Sequence, residues 1–199
     1  MVSKDDIPPD VRKDIMKATL KAIRKHGYAD LTMEKISDEF GKCKSTLHYH
    51  YGTKEELIVE FIRFLQEGFK KHIMPESDDP LKKLEGIIDR MMFGTKDGKV
   101  PERFHTVLLE LRAQAHHNDR YREQITENDR FIHGKVTEVI EEGIEKDVFK
   151  NVDPSLFATI ILSSIDGARA RQISTDRDAI QKARGSLDHI LDEMLLKEK

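Results

Sequence analysis

The fold is decided by residues 31–57, LTMEKISDEFGKCKSTLHYHYGTKEEL. Met33, Ile36 and Phe40 recur at spacings of three and four, which predicts one apolar face on a helix of about two turns. Gly41 follows, and glycine ends such a helix because it adopts a left-handed backbone without steric cost. The stretch therefore indicates a short helix, a glycine turn and a second short helix.

The second helix combines cations, hydroxyls and aromatic rings. Leu47 and Tyr51 lie four residues apart on its buried side, and no acidic residue occurs between Lys42 and Lys54. Such side chains bind phosphates and base edges, so the pattern predicts a helix-turn-helix whose second helix enters the major groove. The candidate DNA contacts are Thr32, Lys44, Ser45, Thr46, His48, Tyr49, His50 and Lys54.

This stretch resembles the N-terminal domain of the TetR family of transcriptional regulators. That family has a Thr, an Ile, a Gly turn and a Leu-Tyr-x-Tyr-Phe run that ends in a Lys and a Leu. Here Lys42 replaces a usual Val, Cys43 replaces a capping Ser, and His48 and His50 replace two tyrosines. The matching positions are Thr32, Ile36, Gly41, Leu47, His48, Tyr49, His50, Tyr51, Lys54 and Leu57. The resemblance implies a repressor that occupies a palindromic operator on double-stranded DNA.

Composition narrows the class of protein. The 199 residues suffice for one or two domains, and no apolar run approaches the ~20 residues that cross a bilayer. The N-terminal MVSKDDIPPD has no apolar signal region, and one cysteine cannot form an internal disulfide. We therefore expect a cytoplasmic protein with no membrane partner. The net charge is −3, so DNA contact must come from local patterning.

Helix-start signals recur along the rest of the chain, and no convincing strand alternation appears. Thr53 followed by Glu56 predicts a capping box at the start of a long helix. The pairs 79–80 and 153–154, each an Asp followed by Pro, predict two further helix starts. A first helix ends at Gly27, and its lysine-rich face is better explained by solvation than by contact with the DNA backbone.

These elements predict an all-α protein. We expect a three-helix helix-turn-helix DNA-binding domain in residues 1–52 and a helical effector-binding and dimerisation domain in residues 53–199. In the resembled family the long helix that begins here at Thr53 links the two domains, and such a rod can carry a shift from one to the other.

The closing helices predict a homodimer. Apolar residues in the last helix alternate spacings of three and four, and a second apolar stripe lies beside them. One stripe serves its own domain and the other suits a second copy, since short DNA-reading modules commonly use two half-sites. The resembled family dimerises through its last two helices. The expected interface residues are Ile161, Ile165, Ala168, Ala183, Leu187, Ile190 and Met194.

The resembled family also binds an effector between helices of its C-terminal domain. Met and Phe side chains can line an adaptable apolar pocket, although each one taken singly is better explained as core. They favour a small hydrophobic effector such as a lipid, an acyl chain or an aromatic compound, with Arg112, His105 or His116 near a polar head. The candidates are Met91, Met92, Phe93, Phe104, Leu108, Leu111 and Phe131.

Other chemistries have little support in the sequence. There is no nucleophile elbow, phosphate loop, paired-carboxylate signature or zinc-protease motif, so we expect neither an enzyme nor a cofactor. His116 and His117, with His105 and His133 on other helices, lack metal-ligand spacing, and Cys43 is better explained by packing than by redox chemistry. The competing class is a helical small-molecule-binding protein with only residual DNA affinity.

Two histidines on the second helix of the predicted helix-turn-helix raise one further hypothesis. If His48 and His50 touch phosphates, DNA affinity should rise as the pH falls toward ~6. Neutral imidazoles that act only as hydrogen-bond donors are the alternative.

Overall fold

The computed structural model describes residues 7–41, 44–94 and 104–197, except for the side chain of Lys44. Within these ranges nine α-helices follow one another, a π-helical turn closes the last, and a single isolated bridge joins Phe149 to Leu196. The all-α prediction is confirmed. The helices are α1 Pro9–His26, α2 Met33–Phe40, α3 Lys44–His50, α4 Lys54–His72, α5 Pro80–Phe93, α6 Phe104–Gln114, α7 Asp119–Glu145, α8 Pro154–Ser174, α9 Ala179–Ile190 and the turn Leu191–Leu195.

The predicted helix starts are present. The hydroxyl of Thr53 accepts a hydrogen bond from the backbone N–H of Glu56 at 3.1 Å, and the Glu56 carboxylate accepts one from the N–H of Gly52 at 3.1 Å. Asp79 and Asp153 accept hydrogen bonds from backbone N–H groups of α5 and α8, each with proline in the first turn. These caps satisfy donors that the first helical turn leaves without partners.

Packing divides the chain into two compact units. Unit 1 comprises Met1–Gly68 and Arg103–Thr126, and unit 2 comprises Phe69–Glu102 and Glu127–Lys199. Helices α4 and α7 each contribute residues to both units. The predicted boundary after residue 52 separates a DNA-binding domain from an effector and dimerisation domain. That functional division stays a prediction. By packing, α6 and the first turns of α7 belong to the same unit as α1, α2 and α3.

Unit 1 has an apolar core with polar groups inside it. Thr19 and Gln66 are buried, and they donate hydrogen bonds to the carbonyls of Ile15 at 2.8 Å and Gln124 at 2.5 Å. These two side chains thereby avoid the cost of burying a donor without a partner. The largest fully buried apolar side chains of this core include Ile15, Met16, Ile23, Leu31, Ile36, Leu47, Tyr51, Leu57, Ile58, Phe61 and Tyr121.

Unit 2 has an apolar core built from α5, the later part of α7, α8, α9 and the segment around Phe149. Phe149 is fully buried, and a Cβ placed on Gly143 would lie 2.0 Å from its ring. Gly86 is approached in the same way, since a Cβ there would lie 2.5 Å from Pro75. Both glycines are required by close packing rather than by backbone conformation.

None of the helices in the described part of the chain has the length and apolar character that crossing a bilayer would need.

Candidate nucleic-acid interface

A glycine turn sets the angle between α2 and α3. The hydroxyl of Thr32 caps α2 by accepting a hydrogen bond from the N–H of Lys35 at 3.2 Å. Gly41 ends the helix with a φ of 72°, and its N–H donates to the carbonyl of Ser37 at 3.0 Å. Residues with a side chain rarely adopt that φ, so glycine makes the change of chain direction after α2 possible. Lys42 and Cys43, which follow, lie outside the described residues.

Two buried side chains orient α3. Leu47 has no exposed surface and Tyr51 is 1% exposed, so the opposite side of this helix faces outward. Tyr49 on that side is 64% exposed, and its ring lies edge-on to His50 at 5.2 Å. We name this side the reading face, formed by the exposed Ser45, His48 and Tyr49 and the half-buried Thr46 and His50. The Nδ1 of His50 is buried, so only part of that ring is available to a ligand. The structure thus brings five of the eight predicted DNA contacts onto one surface.

The reading face has suitable chemistry for DNA. Hydroxyls and imidazoles donate hydrogen bonds to phosphates and base edges, and a phenol ring packs against a thymine methyl. Helix α3 contains no carboxylate that would repel a phosphate. Ser45 and Thr46 also interact with other groups of the protein. Lys44 begins α3, but its side chain lies outside the described part.

Two predicted phosphate contacts lie away from α3. Thr32 is exposed at the start of α2, where backbone amides and the positive end of the helix dipole favour an anion. The ammonium of Lys54 donates to the carbonyl of Leu31 at 3.1 Å, which places this charge one residue from Thr32. Lys54 also lies 4.9 Å from the centroid of the Tyr28 ring. The cation is therefore held beside the N-terminus of α2.

Tyr28 was not among the predicted site residues. Its backbone N–H donates to the carboxylate of Glu110 at 2.8 Å, and its hydroxyl lies 3.1 Å from that of Tyr121. The partners come from α6 and α7, 82 and 93 positions later in the chain. We call Tyr28, Lys54, Glu110 and Tyr121 the Tyr28 cluster. The only notable feature of Tyr28 in the sequence is that it follows Gly27, where α1 ends. That position does not predict which residues Tyr28 contacts.

A second polar network joins α1 to α4. The guanidinium of Arg12 donates to Glu60 at 2.8 Å and to Glu67 at 2.9 Å, and Arg63 pairs with Glu60 at 3.3 Å. The Glu60 side chain is only 8% exposed. A buried carboxylate of this kind is stable only with partners, so Arg12 fixes α1 against α4.

The lysines of α1 are partly neutralised within the protein. Lys21 and Lys25 pair with Glu39 of α2 at 2.6 and 2.9 Å. Hydrogen bonds from these two ammonium groups lower the pKa of Glu39 to about 2. This geometry agrees with the interpretation of a structural and solvated face for that part of α1.

Metal binding finds no support in the described ranges. They contain no group of three or more His, Cys, Asp or Glu side chains arranged to hold a metal ion. His116 and His117 lie with their ring centroids 4.7 Å apart, while the Nε2 of His133 lies 3.1 Å from the carbonyl of Ser155 and the hydroxyl of Thr159.

The predicted effector residues fall into both units. Met91 and Met92 are buried in the unit 2 core, with Phe93 and Phe131 packed against it. Leu111 is buried in the unit 1 core, and Phe104 and Leu108 are half-buried on the same helix. The prediction that these seven residues line one pocket stays a prediction.

The predicted dimer residues also differ in position. Ile161, Ile165, Ala168 and Leu187 are at most 5% exposed and belong to the unit 2 core. They have almost no surface left to contact a second copy, because this apolar stripe is already packed into the core of their own unit. Ala183 and Ile190 are half-buried, and Met194 is 55% exposed. Leu156 and Ile160 of α8 are exposed apolar side chains that were not among the predicted interface residues.

A groove of about 360 Å³ runs between α8 and α9 within unit 2. Its floor is apolar and its rim carries serines and charged side chains. The lining residues are Ser163, Ser164, Gly167, Ala168, Arg171, Asp176, Ala179, Lys182, Ala183, Ser186, Leu187 and Ile190.

Two sequence families match the chain. Residues 15–61 match the family described as "Bacterial regulatory proteins, tetR family", and residues 80–196 match "BetI-type transcriptional repressor, C-terminal". The second match alone covers more than half of the chain. The chain belongs to the TetR family. As a TetR-family member it is a DNA-binding transcriptional regulator of the repressor type, and not an enzyme.

Two known regulators resemble the chain, one over nearly its whole length and the other over less than half of it. A TetR transcription regulator from Haloarcula marismortui ATCC 43049 is 35% identical, covering 94% of this chain and 98% of that one, with a TM-score of 0.87. The HTH-type transcriptional regulator BetI of Agrobacterium fabrum is 30% identical over 88 residues. That match covers 43% of this chain and 43% of the relative, less than half of its length.

A third similarity concerns the fold alone. A putative transcriptional regulator from Saccharomonospora viridis, solved in complex with choline, is 18% identical. It covers 96% of this chain and 100% of that one, with a TM-score of 0.85.

Proposed function

We propose that this TetR-family protein is a homodimeric repressor that occupies a palindromic operator and is released by a small effector. The observation that carries the proposal is the reading face, an outward surface of hydroxyls, imidazoles and a phenol without a carboxylate on its helix. Leu47 and Tyr51 anchor α3 from behind, so this surface can enter a groove without disturbing the core.

The proposed contacts divide by type. Tyr49 and His48 are exposed side chains of the reading face and contact base edges. Thr32 and Lys54 bind a backbone phosphate beside the N-terminus of α2. Substitution of a base contact should relax sequence preference, whereas substitution of a phosphate contact should weaken binding to all sequences alike.

We propose that a second copy covers the exposed apolar side of α8. Leu156 is 61% exposed and Ile160, one helical turn later, is 37% exposed, while Met194 adds a third apolar side chain in unit 2. Large exposed apolar side chains mark interaction sites. Twofold pairing through Leu156 and Ile160 would bury this side of α8 against its own copy. The proposed interface therefore keeps Ala183, Ile190 and Met194 of the predicted set and adds Leu156 and Ile160.

The dimer can be tested with Leu156→Glu/Ile160→Glu. We expect native mass spectrometry to find dimers for the wild type and monomers for this variant, because burying two carboxylates is costly. Ser174→Glu, on the last turn of α8, is a matched control that should remain dimeric. A dimer in the double variant would refute this interface.

The operator can be tested by selection from random duplex DNA followed by salt titration. Twofold symmetry predicts an enriched palindrome with half-sites about 34–36 Å apart, or a multiple of that distance. Loss of the palindrome in Tyr49→Ala, with non-specific binding retained, would support base contact. No enrichment with the wild type would instead favour a small-molecule-binding protein with residual DNA affinity.

The effector is proposed to be small and largely apolar, from the Met and Phe side chains of α5 to α7. The choline in the Saccharomonospora viridis structure makes a quaternary ammonium ion the second candidate. Thermal unfolding with a medium-chain fatty acid, an aromatic acid and choline would separate the two. If the effector is apolar, the fatty acid or the aromatic acid should raise the melting temperature. A rise with choline alone would show that the effector is a quaternary ammonium ion instead.

A further inference from the structure

We propose that Tyr28 is a positioning residue for DNA binding, which holds the Lys54 ammonium beside the N-terminus of α2. The inference rests on the proposed phosphate contact of Lys54. It adds that the strength of this contact depends on α6 and α7, through side chains that never touch DNA.

Tyr28 is fixed at three points. Its backbone N–H donates to Glu110 of α6 at 2.8 Å, and its hydroxyl lies 3.1 Å from that of Tyr121 at the start of α7. The two rings meet edge to face, with planes at 89°. Tyr121 has no exposed surface, so it is a rigid support rather than a mobile side chain. These contacts set both the position and the tilt of the Tyr28 ring.

The face of that ring supports Lys54. The ammonium lies 4.9 Å from the ring centroid, within the range of a cation–π contact. Its hydrogen bond to the Leu31 carbonyl, at 3.1 Å, fixes the direction of the side chain. A lysine in water samples many rotamers, and ordering it on binding costs conformational entropy. Tyr28 reduces that cost because it orders the cation before DNA arrives.

The corner between α6 and α7 is itself well fixed. Asn118 accepts hydrogen bonds from the backbone N–H groups of Arg120 at 3.1 Å and Tyr121 at 3.2 Å. Its side-chain amide also lies 3.5 Å from the carboxylate of Glu55, the residue after Lys54. Support for Lys54 therefore comes from this corner on two sides.

Binding to random-sequence duplex DNA tests the inference, because a phosphate contact acts on all sequences. Affinity is measured by fluorescence anisotropy between about 50 and 200 mM salt. Lys54→Ala should weaken binding about threefold to tenfold and reduce the salt slope by about one. Tyr28→Leu should weaken binding about twofold to tenfold and reduce the slope in the same direction. Tyr28→Phe, which keeps the ring face, should retain the wild-type slope.

The double variant Tyr28→Leu/Lys54→Ala separates positioning from a general structural role. If Tyr28 acts through Lys54, adding Tyr28→Leu to Lys54→Ala should cause no further loss of affinity. A merely structural role would persist in that background and would overturn the inference. Unchanged binding in Lys54→Ala would overturn the phosphate contact and the inference together. A loss in Lys54→Ala with none in Tyr28→Leu would overturn the positioning role alone.

Glu110 offers an independent variant that leaves Tyr28 intact. Glu110→Gln keeps an oxygen that accepts from the Tyr28 N–H, so we expect wild-type binding and slope. Glu110→Ala removes the acceptor and should shift both in the direction of Tyr28→Leu. Equal salt slopes for the two Glu110 variants would count against the inference.

Discussion

The interiors of units 1 and 2 are stabilised by different kinds of interaction. The buried polar side chains identified in the described ranges, Thr19, Ser37, Glu60 and Gln66, all belong to unit 1. The buried residues that form the core of unit 2 are apolar, and its backbone approaches Phe149 so closely that only glycine fits beside it.

The ion pairs show the same difference. In unit 1 the side chains of Glu60 and Glu39 are 8% and 7% exposed. In unit 2 Glu142, paired with Lys83, is 28% exposed, and Asp89, paired with Arg184, is 51% exposed. Exposed pairs contribute little, whereas a buried carboxylate that loses its partner is costly. Unit 1 should therefore respond to lost charge and pH, and unit 2 to added volume.

Removing the partner of a buried carboxylate should have the largest effect. Arg12→Ala leaves Glu60 with only the Arg63 contact, so we expect the free energy of unfolding to fall by about 2–3 kcal/mol. Urea denaturation measures this change. Arg12→Leu/Glu60→Leu removes both charges and should be less destabilised than Arg12→Ala. A double variant that is worse than the single would show that packing, and not charge, dominates here.

Added volume should be the sharpest test of unit 2. Gly143→Ala places a methyl group against the buried Phe149 ring and should lower the free energy of unfolding by about 2 kcal/mol. Gly134→Ala on the same helix meets nothing within 4 Å, so it should raise stability by about 0.5–1 kcal/mol. Thermal unfolding of the two variants should give shifts of opposite sign, and equal shifts would contradict the close packing.

The pH dependence of Glu39 tests the charge pairing of unit 1. Its pKa is lowered from 4.5 to about 2 by hydrogen bonds from Lys21 and Lys25. A lowered pKa stabilises the fold above the unfolded-state value, and that contribution is lost as the pH falls toward 2. Glu39→Gln should therefore be less stable than the wild type at pH 7, with the difference vanishing between pH 4.5 and 2. A difference that is constant with pH would rule out this pairing.

The smallest expected effect comes from two tyrosine hydroxyls. The Tyr51 hydroxyl is buried without a hydrogen-bond partner in the described residues, and burial together with the charge of Glu60 raises its pKa to about 12. Tyr51→Phe should raise the free energy of unfolding by about 0.5–1 kcal/mol. Tyr28→Phe loses the contact with Tyr121 and should lower it by about the same amount. Thermal unfolding measures both, and a loss in Tyr51→Phe would reveal a partner for its hydroxyl.

The sequence predicted the features that depend on neighbouring residues. The Thr53 capping box and the Asp–Pro helix starts are local, so they were identified correctly. The left-handed turn at Gly41 and the buried side of α3 follow from spacing in the same way. Each of these depends on residues within one or two helical turns.

Contacts between distant residues could not be predicted. Nothing near Tyr28 indicates Glu110, 82 residues away, and nothing near Arg12 indicates Glu60. Periodicity also finds an apolar stripe without showing which core buries it. Ile161 and Leu156 are both apolar residues of α8, yet the first is buried in its own unit and the second is 61% exposed.

The contact between Tyr28 and Glu110 limits how regulators of this kind can be recombined. Consider a chimera that joins residues 1–52 of this chain to the C-terminal domain of another regulator. In it, Tyr28 would face whichever α6 residue the other regulator has at the position of Glu110. Such a hybrid could keep its helix-turn-helix intact and still bind promoters poorly. Exchanging Phe104–Gln114 along with the N-terminal helices would transfer the native pairing and make a more dependable biosensor module.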